Sequence, residues 1–238
     1  MGRLDDPELV RQEYSSESGL AGRSAAYRFA EGPDPRELAV DAVTEVSPRR
    51  FLEVGCGWGW FSERVASETG AEVIALDLSE RMVDLARERG VDARVGDVQA
   101  LPFPDDSFDC AAANWMLYHV PDVDRAVAEL SRVLRPGGRL VAVTNSREHL
   151  AQLVELLGVE REEPVFSAEN GERRLRPHFA EIESRDAAGW IVFPDRRAAQ
   201  EYVDASAVLS TGGRQLPEFD GPLRVRRAPV VFVAETAR

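Results

Sequence analysis

Four places in this chain have the residue types and spacing to do chemistry. The first is Glu53-Val-Gly55-Cys-Gly57-Trp-Gly59, an acid followed by glycines at alternate positions. Such glycines let a ligand approach the backbone closely and can adopt φ > 0. The second is Asp77, a carboxylate able to accept both hydroxyls of a ribose. The third is Gly96-Asp97-Val98, where a carboxylate can accept from an adenine amino group while Val98 or its neighbours flank the ring. The fourth is Asn114-Trp115-Met116-Leu117-Tyr118-His119, which ends in a histidine, the residue type suited to taking and giving protons near neutral pH. Taken alone, the glycine turn also fits a dinucleotide fingerprint or a tight connection.

The elements that must position these residues follow the rhythm of a parallel sheet with crossover helices. Strands are expected at Phe51–Val54, Val73–Leu76, Ala93–Val95 and Asp109–Asn114. A helix from Trp60 to Thr69 is closed by Gly70, and Ser79 caps another that Gly90 stops. Asp122 caps a helix whose apolar stripe is Val123, Ala126, Val127, Leu130, Val133 and Leu134. Pro136-Gly137-Gly138 is expected to end that helix and turn the chain into a fifth strand, Arg139–Thr144. Each chemical group then falls at the carboxyl end of a strand, where open α/β sheets bind their ligands.

Outside this stretch the pattern is looser. Residues 1–45 read as helices broken at Gly32-Pro33-Asp34-Pro35, and Leu150, Leu153, Val154 and Leu157 make one more amphipathic helix. Residues 160–178 are charge-dense and expected over the surface. Two β-like stretches, Ile182–Phe193 and Val225–Ala234, flank a helix near Arg197–Leu209; Pro229 argues for an edge strand or a bulge.

Composition narrows the function. The chain has 238 residues with 29 basic and 42 acidic side chains, a net charge of −13. Every basic residue is arginine, which removes Schiff-base chemistry and a P-loop lysine. The negative charge disfavours a broad nucleic-acid footprint, although Arg173, Arg174 and Arg176 form a local patch or a solvated face. No run approaches the length of a membrane span, and the acidic N-terminal stretch is unlike a signal peptide, so a cytoplasmic location is expected. No cluster of metal-ligand type and no GxSxG elbow occurs, so no metal is expected; His149 and His178 are expected to be surface or core residues.

The ordered set EVGCGWG, ALDLS, GDVQALPFPDDSFD and LRPGGRL, running from Phe51 to Val143, resembles the class I S-adenosylmethionine-dependent methyltransferases, in particular the small-molecule, ubiquinone-biosynthesis-like branch (methyltransferase type 11). The resemblance implies an α/β, Rossmann-like open sheet of seven mostly parallel strands, with helices on both faces and an N-terminal helical lid. It further implies S-adenosyl-L-methionine as cofactor, S-adenosyl-L-homocysteine as product and a small-molecule acceptor methylated at O, N or C. Gly55, Cys56 and Gly57 would line the methionine and ribose portion, and Glu53 would order the loop and help hold the amino-acid end. Asp77 would take the ribose diol, Leu78 and Met82 the adenine face, Asp97 and Val98 its polar edge, and Asn114 the methionine moiety. For Leu78, Met82 and Val98, ordinary core packing is the other reading.

His119 is the candidate general base, or else it packs at the following helix. Trp115 and Tyr118 line an acceptor pocket or pack in the core. Tyr14, Arg23 and Tyr27 belong to residues 1–45, a leader that folds over the site in related enzymes or packs on the sheet. The methyltransferase domain is expected over 46–238, with 145–180 and 205–225 on the acceptor side. A tRNA or rRNA methyltransferase and a non-catalytic S-adenosylmethionine-binding module remain alternatives, and a nicotinamide dehydrogenase fits the glycine loop but leaves Asp97 without a role.

Overall fold

The computed structural model describes residues 22, 24–206, 209 and 213–238. Ten strands and seven α-helices are found among them. The strands are β1 (Ala30–Glu31), β2 (Arg50–Val54), β3 (Glu72–Asp77), β4 (Asp92–Val95), β5 (Phe108–Asn114), β6 (Leu134–Asn145), β7 (Glu181–Asp186), β8 (Gly189–Phe193), β9 (Leu223–Arg227) and β10 (Pro229–Glu235). The helices are α1 (Pro35–Thr44), α2 (Trp60–Thr69), α3 (Glu80–Glu88), α4 (Val123–Val133), α5 (Ala151–Leu156), α6 (Gly171–Leu175) and α7 (Arg196–Asp204).

Seven strands form one sheet in the order β4-β3-β2-β5-β6-β10-β7, parallel from β4 to β6 and antiparallel where β10 enters. The inner residues of the parallel strands β2, β3 and β5 are buried and mostly apolar because helices cover both faces. Leu52, Val54, Leu76, Ala111, Leu130 and Leu140 pack in a core on one face, with α4; Phe51, Phe61, Val65, Val141 and Val231 pack with α1 and α2 on the other. The caps follow the sequence: Ser79 Oγ accepts from Met82 N at the head of α3, and Asp122 Oδ1 from Arg125 N at the head of α4.

The sequence expectations change in three places. The chain is already extended at Leu134, so Pro136-Gly137-Gly138 lies inside β6, where the pairing jumps from Phe108↔Leu134 to Cys110↔Arg139; Thr236 Oγ1 accepts from Gly138 N there. Residues 160–178 are not merely a surface run, because Phe166 and Leu175 are fully buried in the core under α4. Each β-like stretch of the C-terminal part divides between two sheets: β7 and β10 complete the large one, while β8 and β9 join β1 in a three-stranded antiparallel sheet. Pro229 therefore opens an interior strand rather than marking an edge, and its carbonyl accepts from Ala187 N at the matching break. The small sheet, α5 and α7 enclose a separate core containing Leu153, Phe193, Tyr202 and Val225.

Within residues 1–45, α1 is part of the body of the fold: Ala39, Val40, Ala42 and Val43 are buried against the large sheet. Tyr14 and Arg23 lie outside the described residues.

Candidate cofactor and acceptor site

A cavity of about 330 Å³ opens where β2, β3, β4 and β5 end. Its shape follows from the glycine turn between β2 and α2. Gly55 has φ of 68° and Gly59 of 80°, both left-handed. A Cβ at Gly55 would stand 2.7 Å from Met116 Cβ, and one at Gly59 2.9 Å from the Ala86 Cα, so the turn packs against two neighbours only without side chains. Cys56 N donates to the Leu76 carbonyl at 3.0 Å, tying the turn to β3. Cys56 is itself buried, and burial pushes its thiol far above the usual range; it is a loop residue, not a nucleophile.

Asp77, at the end of β3, is fixed by the chain it faces. Its Oδ2 accepts from Gly57 N and its Oδ1 from Ser79 N, each at 2.9 Å. Burial raises its pKa, opposed by these amides. Glu53 lies deeper. Burial pushes its carboxyl up to about 8, against the Ser62 hydroxyl that donates to it and the Asn114 amide beside it, while the neighbouring Asp77 charge adds to the rise. Asn114 Oδ1 and Nδ2 are buried and, among the described residues, make no hydrogen bond. A buried acid that meets no cation among the described residues, with a buried amide beside it, is a polar pair that a bound ligand would complete.

Glu53, Gly55, Cys56, Gly57, Asp77, Leu78, Asp97, Val98, Asn114, Trp115 and His119 all line the cavity. Three of the sequence candidates that are described do not: Tyr27, Met82 and Tyr118. Met82 is fully buried in α3, and Tyr118 packs on the main core with its ring edge-on to His119, centroids 4.5 Å apart. Asp97 is exposed at the rim, where it accepts from Gln99 N at 2.9 Å. Trp115 holds a left-handed φ of 53°, which an indole side chain adopts only under constraint; Trp115 N donates to the Val143 carbonyl and Nε1 to Asn145 Oδ1.

Arg36, Trp58, Trp60, Phe61 and Met116 also line the cavity and were not singled out by the sequence. Trp58 and Trp60 sit in and beside the glycine turn, a signal that was readable. Arg36 lies at the head of α1, far away in sequence, and nothing local marks it.

The comparisons agree with this geometry. Residues 52–142 match the family model described as a methyltransferase domain. A ubiquinone biosynthesis O-methyltransferase from Xanthomonas oryzae pv. oryzae is 33% identical over 177 residues, covering 71% of this chain and 70% of that protein. The chain belongs to the methyltransferase-domain family. A demethylmenaquinone methyltransferase from Renibacterium salmoninarum is 43% identical over 108 residues, 44% of this chain and 45% of its own length. The matched part thus spans about half the length of several of these methyltransferases, such as the 57% of a malonyl-[acyl-carrier protein] O-methyltransferase from Erwinia pyrifoliae. Among solved structures, a phosphoethanolamine N-methyltransferase 2 from Haemonchus contortus, in complex with phosphomonomethylethanolamine and S-adenosylhomocysteine, superposes with a TM-score of 0.63 at 17% identity, over 100% of this chain and 61% of that one. That likeness concerns the fold: the methyltransferase domain has the Rossmann-like sheet expected of it. Among the described residues, no helix is long and apolar enough to cross a membrane.

Proposed function

We propose that this chain is an S-adenosylmethionine-dependent methyltransferase that moves a methyl group to O, N or C of a small-molecule acceptor. The observation that carries the reading is the polar set at the cavity floor: an Asp77 carboxylate aimed by two backbone amides, a buried Glu53 that meets no cation among the described residues, and the buried Asn114 amide beside it. These residues fit a ligand with a diol at one end and positive charge at the other.

In this reading Asp77 accepts the ribose hydroxyls with its remaining lone pairs, and Leu78, Asp97 and Val98 border the adenine. Gly55, Cys56 and Gly57 border the chain between sugar and sulfur, while Glu53 and Asn114 face the amino-acid end. When bound, S-adenosylmethionine supplies an activated methyl carbon, so the protein has to align the acceptor and exclude water. Trp115 and His119 stand on the acceptor side, and His119 takes a proton at an imidazole nitrogen if the nucleophile arrives protonated. Residues 145–180 and 205–225, with the leader ahead of α1 that includes Tyr14 and Arg23, supply the rest of the acceptor site. The apolar lining and the −13 charge favour a small acceptor over nucleic acid, and we place the protein in the cytoplasm.

The test is calorimetric titration with S-adenosylhomocysteine and NAD, followed by transfer of labelled methyl groups to a panel of small acceptors. Heat with S-adenosylhomocysteine and none with NAD is expected; the reverse would sink the reading.

A further inference from the structure

Asp97 stands at the rim of the cavity and is exposed to water, so burial does nothing to fix its carboxylate. A neighbour two residues on does. Gln99 N donates to Asp97 Oδ1 at 2.9 Å, and the side-chain Nε2 of Gln99 reaches Oδ1 and Oδ2, each at 3.1 Å. The other end of the same amide is held as well: Gln99 Oε1 accepts from Asp122 N at 3.1 Å. A backbone N–H needs an acceptor and a carboxylate needs a donor, so only one orientation of the amide satisfies both ends.

This grip decides what Asp97 can still do. A carboxylate has about four acceptor positions, two on each oxygen. Oδ1 accepts from both Gln99 N and Gln99 Nε2, whereas Oδ2 accepts from Nε2 alone. One acceptor position is therefore left, and it lies on Oδ2.

Gln99 is itself carried on a firm support. It belongs to the 3-10 turn Val98–Ala100, which runs into Leu101. Leu101 N donates to Glu129 Oε2 at 2.8 Å, and its carbonyl accepts from Arg132 Nη2 at 3.1 Å, both partners on α4. Asp122, the residue that Gln99 holds, caps the head of that helix. Gln99 thus ties together two walls of the cavity: Gly96, Asp97 and Val98 on one, and His119, Val120 and Pro121, just ahead of Asp122, on the other. Ordering so flexible a side chain between two partners costs conformational entropy, and what the ordering achieves is an aimed carboxylate.

We infer that Gln99 is a positioning residue for base recognition: it fixes Asp97 so that Oδ2 receives one N–H of the adenine amino group, and it thereby sets a preference for adenine over a 6-oxo purine. The inference rests on the reading of the chain as an S-adenosylmethionine-dependent methyltransferase with Asp97 beside the adenine. A 6-oxo purine carries a carbonyl oxygen where adenine has its amino group. That oxygen would face a carboxylate that Gln99 does not let turn away, and a mismatched polar pair discriminates better than a lost apolar contact.

The experiment is calorimetric titration of the full chain with S-adenosylhomocysteine and with S-inosylhomocysteine, its deaminated 6-oxo counterpart. Wild type should bind the adenosyl compound about tenfold more tightly or better. Gln99→Leu, similar in size but without polar atoms, should bind S-adenosylhomocysteine about three- to tenfold more weakly. Its affinity for S-inosylhomocysteine should not fall, so the ratio shrinks. Gln99→Glu still offers Asp122 N an oxygen but gives Asp97 no donor. It should melt close to wild type and yet lose discrimination, which separates the aim of Asp97 from the stability of the turn. In an Asp97→Ala background, Gln99→Leu should change neither affinity, because a positioning residue acts only through the residue it positions. An unaltered ratio in both single variants overturns the proposal, as does an equal loss for the two compounds or a Gln99→Leu effect that survives in the Asp97→Ala background. A wild type that binds the two compounds equally overturns it too. If wild type binds neither compound, the methyltransferase reading itself fails and this inference falls with it.

Discussion

Asp77 already uses one lone pair on each carboxylate oxygen to hold the chain, accepting from Gly57 N and Ser79 N. A ribose would take what remains, so the residue shapes the turn as well as binding. Asp77→Ala should therefore weaken S-adenosylhomocysteine binding by about 1–3 kcal/mol in calorimetry, through lost charge-assisted hydrogen bonds. Asp77→Asn keeps one acceptor oxygen and should lose less. An unchanged affinity in the alanine variant would remove Asp77 from the site. His119 differs because its place does not depend on its side chain: His119 N donates to the Met116 carbonyl at 2.9 Å in a 3-10 turn that alanine preserves. His119→Ala should lower turnover with cofactor affinity intact; a variant with full turnover would return His119 to mere packing against Tyr118.

Among the elements, the glycine turn is the least tolerant. Gly59→Ala would need a left-handed alanine whose Cβ stands 2.8 Å from the Ala86 Cβ and 2.9 Å from its Cα, and backbone cannot swing aside. We expect a loss of about 2 kcal/mol or more in chemical denaturation, because the left-handed penalty and the overlap with α3 add. A variant of wild-type stability would mean that α3 can slide away from the turn. This turn was legible in the sequence because its cause is local: an acid, three glycines and a helix start within a few residues of a buried strand. The caps at Ser79 and Asp122 were legible for the same reason. The C-terminal part was not. The split of Ile182–Phe193 at Ala187-Ala188, and of Val225–Ala234 at Ala228, depends on β10 pairing with β6 while β8 pairs with Ala30-Glu31, more than 150 residues away in sequence. Arg36 was missed on the same ground, since only packing between elements distant in sequence brings it to the cavity.

Over the whole molecule, two kinds of carboxylate pull stability in opposite directions with pH. Glu45 receives the Arg139 and Arg185 guanidiniums, bridging the end of α1 to β6 and β7, and Arg185 above all holds its pKa below the usual range. Asp34, Asp92 and Glu129 are likewise held low by arginine partners. Their stabilisation is present above the unfolded pKa and disappears as pH falls through the lowered folded values. Glu53 acts the other way: its folded pKa is raised to about 8, so the fold binds a proton that the unfolded chain releases near 4.5. Stability from this group is full below the lower value and drains away as pH rises to the higher one, and the raised pKa of Asp77 adds the same sign. The ligand-free protein should thus be most heat-stable near about pH 5, declining on both sides. Part of the alkaline decline also comes from self-repulsion at a charge of −13, which salt screens. Glu53→Gln separates the two, because it keeps an acceptor for the Ser62 hydroxyl and removes the titration. At high salt its melting temperature should fall much less between about pH 5 and pH 8 than that of wild type. Parallel curves for the two proteins would mean that Glu53 is already ionised in the fold, and that the cavity floor carries a charge of its own before any cation arrives.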